Sequence, residues 1–415
     1  MKKHILVISQ YFYPEQFRIN DICCEWINRG YKVTVVTGIP NYPQGKFYLG
    51  YGLFKKRKEV WNGIEIIRLP IISRGHSSVR LALNYLSFVI SGWFWAHFTR
   101  ERPDTVFIYE VSPMTQGLLG VWLAKRRKIP CHIYVTDLWP ENFEIITGIH
   151  NRLIVGPLEK MVMRIYNGCK TIFTSSQSFI DAIAKRGVSR DKIVFWPQYA
   201  EEFYAPVARD ALAEGELQVP QDGKCNILFA GNIGEAQGLS VLAEAASLLK
   251  QRDFHKLRFV LVGDGRYKAT LQALVREQQL EEYFLFFEKV PATQVPLWFA
   301  QVSASLICLS KNEVFAMTLP AKTQSCLACG KPVVVCADGE VRDVVQEARC
   351  GISAAAADSE GLCDALIQLA SKTPEEMIQM GDNARKFFVR NYEKQMLLDK
   401  MDGYLNLIKE EERHV

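Results

Sequence analysis

One pattern constrains this chain more than any other: an alternation of buried-strand and helix signals that runs, lapses and then runs again. The first unbroken apolar run covers 5–8 and reads as a strand buried on both faces. A polar-aromatic loop from Gln10 to Arg18 follows. Ile19, Ile22, Cys23, Trp26 and Ile27 then recur at helical steps, and Gly30 closes that helix. The next apolar run, 33–37, completes a strand–helix–strand unit, which requires a parallel pair. Further strands are predicted at 64–68, 105–109, 131–135, 171–174 and 193–196. From 200 to 222 the pattern lapses into an acidic stretch rich in Ala, Gly and Pro. It resumes with strands at 226–230, 257–262, 284–287, 304–309 and 332–336 and a helix over 239–250. The 415 residues suit two domains better than one core. The expectation is therefore an α/β protein of two similar domains facing across a cleft at the carboxyl ends of their strands. Its parts are a first domain over 1–200, a linker over 201–222, a second domain over 223–385, and a closing segment over 386–415. A single long helix is predicted over 374–411, long enough to return to the first domain.

Composition removes several function classes. With 48% apolar and 23% charged residues the chain is globular, and a net charge of +5 with dispersed basic residues does not describe a nucleic-acid binder. Two basic runs, 55–58 and 125–128, read as a solvated loop and a helix end, with an anionic membrane surface as the alternative. Eleven cysteines without a secreted-domain spacing, and Lys2-Lys3 leading straight into the first strand, place the chain in a reducing cytoplasm. Cys326 and Cys329 form a Cys-x-x-Cys inside a predicted helix. Zinc there would need Cys336 and Cys350 to converge, and small apolar core packing accounts for the pair better. No His-Glu-x-x-His, close His pair or Asp-x-Asp triad supports metal catalysis, and no Gly-x-Ser-x-Gly marks a hydrolase serine.

Three constellations carry chemistry. The strand over 226–230 runs into a loop with Gly231, Gly234 and Gly238 before a helix, a form in which backbone N–H groups and a helix N-terminus can cradle a phosphate. A tight strand-to-helix turn would look the same. Gly263-Asp264-Gly265 falls short of a dinucleotide fingerprint, because Lys268 stands where a third glycine would be. Second, Pro320 reads as the first residue of a helix, which puts Lys322 in the first turn. A cation is unfavourable there unless an anion faces it or the side chain points to water. Third, Asp137, Trp139 and Glu141 follow one predicted strand and Glu110 ends the one before. Carboxylates and an indole at strand ends suit hydroxyl binding or proton transfer, although loop polarity and an aromatic lid would give the same pattern. Residues 81–98 carry no charge. A membrane span is rejected because the α/β pattern continues on both sides. Asn84, Ser87 and Ser91 make a polar stripe, and Trp93, Phe94, Trp95 and Phe98 load the end. The segment is either a core helix or a face that docks on a membrane.

Together these segments resemble the GT-B retaining glycosyltransferases of family 4. The nearest likeness is to bacterial enzymes of colanic acid, capsule and O-antigen assembly, including N-acetyl-L-fucosamine transferases. The residues that carry it are Gln10-Tyr11-Phe12-Tyr13-Pro14-Glu15, Gly38-Ile39-Pro40-Asn41-Tyr42-Pro43, Asp137-Leu138-Trp139-Pro140-Glu141, Gly231-Asn232-Ile233-Gly234 with Gln237-Gly238, and Pro320-Ala321-Lys322 followed by Cys329-Gly330-Lys331-Pro332. The resemblance implies two Rossmann-like domains and transfer with retention, needing no cofactor and no metal. A UDP-linked sugar, an N-acetylated amino sugar among the candidates, would sit in the second domain on Gly231, Asn232, Gly234, Gln237, Gly238, Gly265, Lys322, Ser325 and Glu340. A lipid-linked saccharide would sit in the first, near Glu15, Arg18, Trp139 and Glu141, with Asp137 and Glu110 as catalytic candidates. The protein would be peripheral on the inner face of the cytoplasmic membrane. There are departures. The family's Glu pair falls on Met317 and Ser325, and the usual Arg and Lys of the glycine loop fall on Asn232 and Gln237. Lys322 then remains as the cation for a diphosphate. Two other functions stay open: a nucleotide-sugar epimerase on the same fold, and a non-catalytic scaffold in a polysaccharide assembly complex.

Overall fold

A computed structural model describes residues 2–75, 77–212, 218–405 and 407. Of the expected linker, 213–217 lie outside the described residues, as do 406 and 408–415 of the closing segment. The chain divides into two compact units. The first comprises Met1–Trp196 with Lys400–Val415, and the second Pro197–Asp399.

The first unit has an eight-stranded sheet. Its strands are β1 His4–Ile8, β2 Lys32–Gly38, β3 Lys58–Trp61, β4 Ile64–Leu69, β5 Thr105–Glu110, β6 Cys131–Val135, β7 Thr171–Thr174 and β8 Ile193–Phe195. They lie in the order β3-β4-β2-β1-β5-β6-β7-β8, parallel except for the antiparallel pair β3–β4. Every residue of β1, β5, β6 and β7 is buried, as central strands of a parallel sheet covered on both faces require. The helix Arg18–Asn28 covers one face by burying Ile19, Ile22, Cys23 and Trp26, each worth about 1.5–3 kcal/mol out of water.

The second unit has a six-stranded, wholly parallel sheet. Its strands are β9 Cys225–Ala230, β10 Leu257–Val262, β11 Phe284–Phe287, β12 Ala304–Cys308, β13 Val333–Cys336 and β14 Gly351–Ala354. Their order is β11-β10-β9-β12-β13-β14. In each unit the strand order reverses at one point, between β1 and β5 in the first and between β9 and β12 in the second. In open parallel sheets that reversal leaves a crevice beyond the carboxyl ends of the two strands.

Three expectations need correction. The edge strands β3 and β14 were not predicted. The long closing helix is two, Pro374–Tyr392 and Lys394–Tyr404, because Glu393 is extended at φ −65°, ψ 135°. Pro320 is the N-cap rather than the first helical residue, with ψ 139°, so the helix Ala321–Ala328 begins one residue later. Lys322 remains in its first turn. Cys326 and Cys329 are both buried, and burial pushes the Cys326 thiol up to about 11. Among the described residues no group of three or more His, Cys, Asp or Glu side chains could hold a metal ion.

The 81–98 segment lies in the helix Ser78–Phe98, which is amphipathic in an unusual sense. Its buried residues are Asn84, Phe88, Gly92 and Ala96. Asn84 donates to the Ile72 carbonyl at 2.6 Å and accepts from the Gln10 amide at 2.8 Å, and Ser87 Oγ accepts from Ile72 N–H at 2.9 Å. Most of the polar stripe thus faces inward. Val79, Leu83, Leu86, Ile90, Trp93, Phe94 and Phe98 are exposed, on steps that keep them to one side of the helix. Among the described residues no helix is long and apolar enough to cross a membrane. The basic run at 125–128 ends the helix Gly117–Arg127, where Arg126 donates to the Ala96 carbonyl at 3.0 Å and Arg127 to that of Thr99 at 2.7 Å.

Candidate functional site

Each unit carries one candidate region, and in each it lies beyond the strand ends at the reversal point. In the second unit β9 ends at Ala230 and the chain turns through Gly231 to Gly238. Gly265, on the turn after β10, lies flat against this loop: a Cβ there would stand 2.2 Å from the Ile233 carbonyl oxygen. Only glycine lets the two turns stack so closely. Asn232 is exposed, Gly234 begins the short turn Glu235–Gln237, and Gly238 closes it. Lys322 does not point to water. Its Nζ donates to Gln237 Oε1 and stands 4.0 Å from the centroid of the Phe229 ring, at the end of β9. A Cβ on Gly231 would meet that same Nζ at 3.9 Å. Burial lowers the Lys322 amine from an ordinary 10.5 to about 8.

A cation held against a glycine turn by a neutral amide and an aromatic face makes no ion pair with any described carboxylate. That arrangement can accept a phosphate group. One turn further along the same helix, the Ser325 side chain bonds the Tyr204 hydroxyl, whose pKa is pushed up to about 12 mainly by burial. Glu340 is the buried first residue of the helix Glu340–Ala348. Gly339 before it, at φ +70°, permits that helix to start against the Ala316 carbonyl, 2.0 Å from where a Cβ would be. Met317 caps the short helix Glu313–Ala316 in the same neighbourhood.

In the first unit, Asp137 lies two residues beyond β6 and Glu110 ends β5. Asp137 Oδ2 accepts both the backbone N–H and the hydroxyl of Ser112 at 2.9 Å each, and Ser112 Oγ accepts the Trp139 indole N–H at 3.0 Å. The carboxylate is thereby fixed by a residue from the neighbouring strand end. Glu110 is fully buried. Its Oε2 faces the Asp137 N–H at 3.4 Å, and its Oε1 has no hydrogen-bond partner. Burial first, and the Asp137 charge second, hold its carboxyl well above the usual carboxylate range. A carboxyl whose ionisation burial opposes, beside one that accepts two hydrogen bonds, is the pattern by which two carboxyl groups take different roles.

The structure places the remaining first-unit candidates as follows. Arg18 opens the helix Arg18–Asn28, close enough to the buried Tyr109 and Tyr134 hydroxyls for its charge to act on both. Glu15 is buried and accepts backbone N–H groups from Asn41 at 2.7 Å, Tyr42 at 2.6 Å and Phe12 at 3.3 Å. It clamps the loop after β2 to the loop after β1, and burial raises its pKa to about 7. Glu141 pairs with Arg186, which also holds the Trp139 carbonyl. These two carboxyls organise loops. Ser112, Arg74 and Tyr85 were not anticipated. Ser112 carried a signal, two residues beyond a strand end at the reversal point. Arg74 and Tyr85 carried none, being brought in by a loop and a helix from outside any motif.

Asp137 and Ser112 also stand at one end of a cavity of about 700 Å³ within the first unit. Arg74, Tyr11 and Tyr85 line it near them. Apolar side chains of the helix Ser78–Phe98 and of the segment from Trp139 to Met161 line most of the rest.

Comparison with known proteins bears on both regions. Residues 16–198 match the family model of the glycosyl transferase 4-like domain, and residues 217–387 that of the glycosyl transferases group 1. A glycosyl transferase assigned to colanic acid biosynthesis, WcaI of Escherichia coli strain K12, is 26% identical over 326 residues, covering 76% of this chain and 77% of the relative. Among solved structures, sucrose-phosphate synthase of Thermosynechococcus elongatus superposes with a TM-score of 0.75 at 15% identity over 98% of both chains. Anabaena Alr3699/HepE in complex with UDP gives 0.68 at 13% identity, over 98% of this chain and all of that one. Both likenesses are of fold, the two-domain GT-B arrangement of parallel sheets.

Proposed function

Since the chain belongs to the group 1 glycosyltransferases, with a 4-like domain ahead of the group 1 domain, we propose that it moves a sugar from a UDP-linked donor to a lipid-linked saccharide, with retention and without a metal, in the assembly of a surface polysaccharide. The observation that carries the donor side is the Lys322 ammonium held against the glycine turn at the β9–β12 reversal point. There it would take the leaving diphosphate, together with backbone N–H groups of the loop, and supply the charge that a metal supplies elsewhere. Ser325, one turn along the helix from Lys322, with its partner Tyr204 and with Glu340, would contact the nucleoside or the sugar, an N-acetylated amino sugar being the proposed class. In the first domain Asp137, oriented by Ser112, would face the reacting hydroxyl, and Glu110, whose ionisation burial opposes, would sit beneath it.

The membrane part of the proposal rests on the inverted helix. Its exposed apolar side, and the loop carrying the fully exposed Leu49 and Phe54 between Lys46 and Lys55-Lys56, both belong to the first domain. A backbone bond from Gly75 N–H to the Gly45 carbonyl at 2.8 Å ties that loop to the lead into the helix. Apolar residues beside lysines suit an anionic lipid surface. Thermal-shift screening against nucleotides and nucleotide sugars tests the donor side. A UDP-sugar should raise the melting temperature by mass action, with and without EDTA. No shift with any nucleotide sugar, or a shift abolished by EDTA and restored by metal, overturns it.

A further inference from the structure

The cavity in the first domain is larger and more apolar than a sugar hydroxyl needs. Its volume of about 700 Å³ lies within the range that encloses a whole small ligand. Polar groups gather at one end, where Asp137 and Ser112 stand with Tyr11, Tyr85 and Arg74. Most of the remaining lining is apolar, with Leu81, Val89, Leu118, Phe143, Leu158 and Met161, and Ser78, Thr115, Asn142 and Thr147 stand among them. Most hydroxyls of a saccharide would face apolar side chains there, a loss for each buried group left unpaired.

Arg74 sharpens the reading. Its guanidinium lies 5.1 Å from the centroid of the Tyr42 ring and donates to the Tyr11 hydroxyl at 3.3 Å, and it makes no ion pair among the described residues. A cation at the head of an apolar cavity favours an anionic head group on an apolar tail. Leu86 both lines the cavity and belongs to the exposed apolar side of the helix Ser78–Phe98, and the exposed Leu153 and Ile154 stand on the helix that supplies Leu158 and Met161.

We propose that this cavity binds the phosphate-proximal part of a single-chain lipid phosphate, with the phosphate on Arg74, the first aliphatic units among Leu81, Val89, Leu118 and Met161, and the rest of the tail leaving past Leu86. The proposal rests on the lipid-linked acceptor read above and gives it a site. It makes the tail a specificity determinant recognised by the protein, rather than a passive anchor in the bilayer.

The test uses farnesyl phosphate below its aggregation limit, titrated into the full chain by calorimetry. Farnesyl phosphate should bind, while inorganic phosphate and farnesol should each bind at least tenfold more weakly. Arg74→Ala should weaken farnesyl phosphate at least tenfold, and Leu118→Trp, which fills the cavity, should abolish binding. Both variants should keep the wild-type circular dichroism and the melting transition of the first unit, which shows that the domain carrying the cavity folds. Absence of binding by the wild type, or unchanged binding by a folded Leu118→Trp, overturns the cavity assignment. The acceptor reading is scored separately, by label passing from donor to organic-extractable material in membranes. Label without farnesyl phosphate binding sinks the cavity and leaves the acceptor reading standing. Farnesyl phosphate binding without label keeps the cavity and sinks the acceptor reading.

Discussion

Lys322 and Asp137 owe their chemistry to neighbours distant in sequence. Burial against Phe229 and Gln237 brings the Lys322 amine to about 8, so above that pH the empty site is largely uncharged. A bound diphosphate favours the ammonium, so binding takes up a proton once the pH passes 8, and affinity must fall from there upward. The affinity for UDP should decline between pH 8 and pH 10 in the wild type and stay nearly level in Lys322→Met. Near neutral pH the substitution should cost about 1.5–3 kcal/mol of donor binding, the usual worth of a bond to a charged group. Calorimetry across the pH range checks both, and equal profiles for the two proteins would remove Lys322 from the donor site. Asp137→Asn keeps the shape and loses the charge. It should lower kcat strongly while leaving the UDP affinity unchanged, since the nucleotide is assigned to the other domain. An Asn variant with normal turnover would count against the assignment. The sequence pointed to both residues through their places after strands and in a first helical turn. It did not show that Glu15 and Glu141 are occupied by backbone amides and by Arg186, because a carboxylate's partners depend on tertiary contacts that no local spacing encodes.

At the scale of elements, strands buried on both faces were legible, as were the edge strands β8 and β11, but the edge strands β3 and β14 were not. β1, β5 and β10 are apolar through most of their length, and their boundaries were read to within a residue. β3 has the sequence Lys-Glu-Val-Trp and β14 Gly-Ile-Ser-Ala, both at the margin of a sheet with little apolar pattern to betray them. The helix Ser78–Phe98 shows the opposite limit. Its polar stripe was visible, but which side faced the protein depended on the carbonyl of Ile72 and the amide of Gln10, neither predictable from periodicity. Its two faces should respond differently to substitution. Asn84→Leu strands both partners and should cost about 1–3 kcal/mol in urea unfolding. The double variant Trp93→Ser, Phe94→Ser alters exposed side chains and should leave stability within about 0.5 kcal/mol. It should also reduce cosedimentation with anionic liposomes several-fold. Unfolding of the double variant, or liposome binding equal to the wild type, would show that this face does not dock.

At the scale of the molecule, the first unit is discontinuous, built from Met1–Trp196 and completed by Lys400 onward. Within it Asp402 is buried and receives the Trp26 indole N–H at 3.1 Å, the Arg29 guanidinium at 3.0 Å and the Tyr31 hydroxyl at 3.2 Å. Asp402→Ala would leave a charge and two donors without their acceptor and should destabilise the first unit by about 3–5 kcal/mol. The second unit should be spared. Calorimetry should therefore resolve two transitions where the wild type shows them closer together, and an unshifted first transition would refute the clamp. The same arrangement has a consequence in time. A ribosome delivers Trp26 early, but Asp402 only after the whole second unit has been made, about 10–40 s after Trp196 at the usual pace of synthesis. For that interval the nascent first unit waits with its polar clamp open and the apolar side of the Ser78–Phe98 helix already outside the exit tunnel. The exposed apolar side is thus in place before the final fastening, so whatever binds it can meet it while translation is still under way.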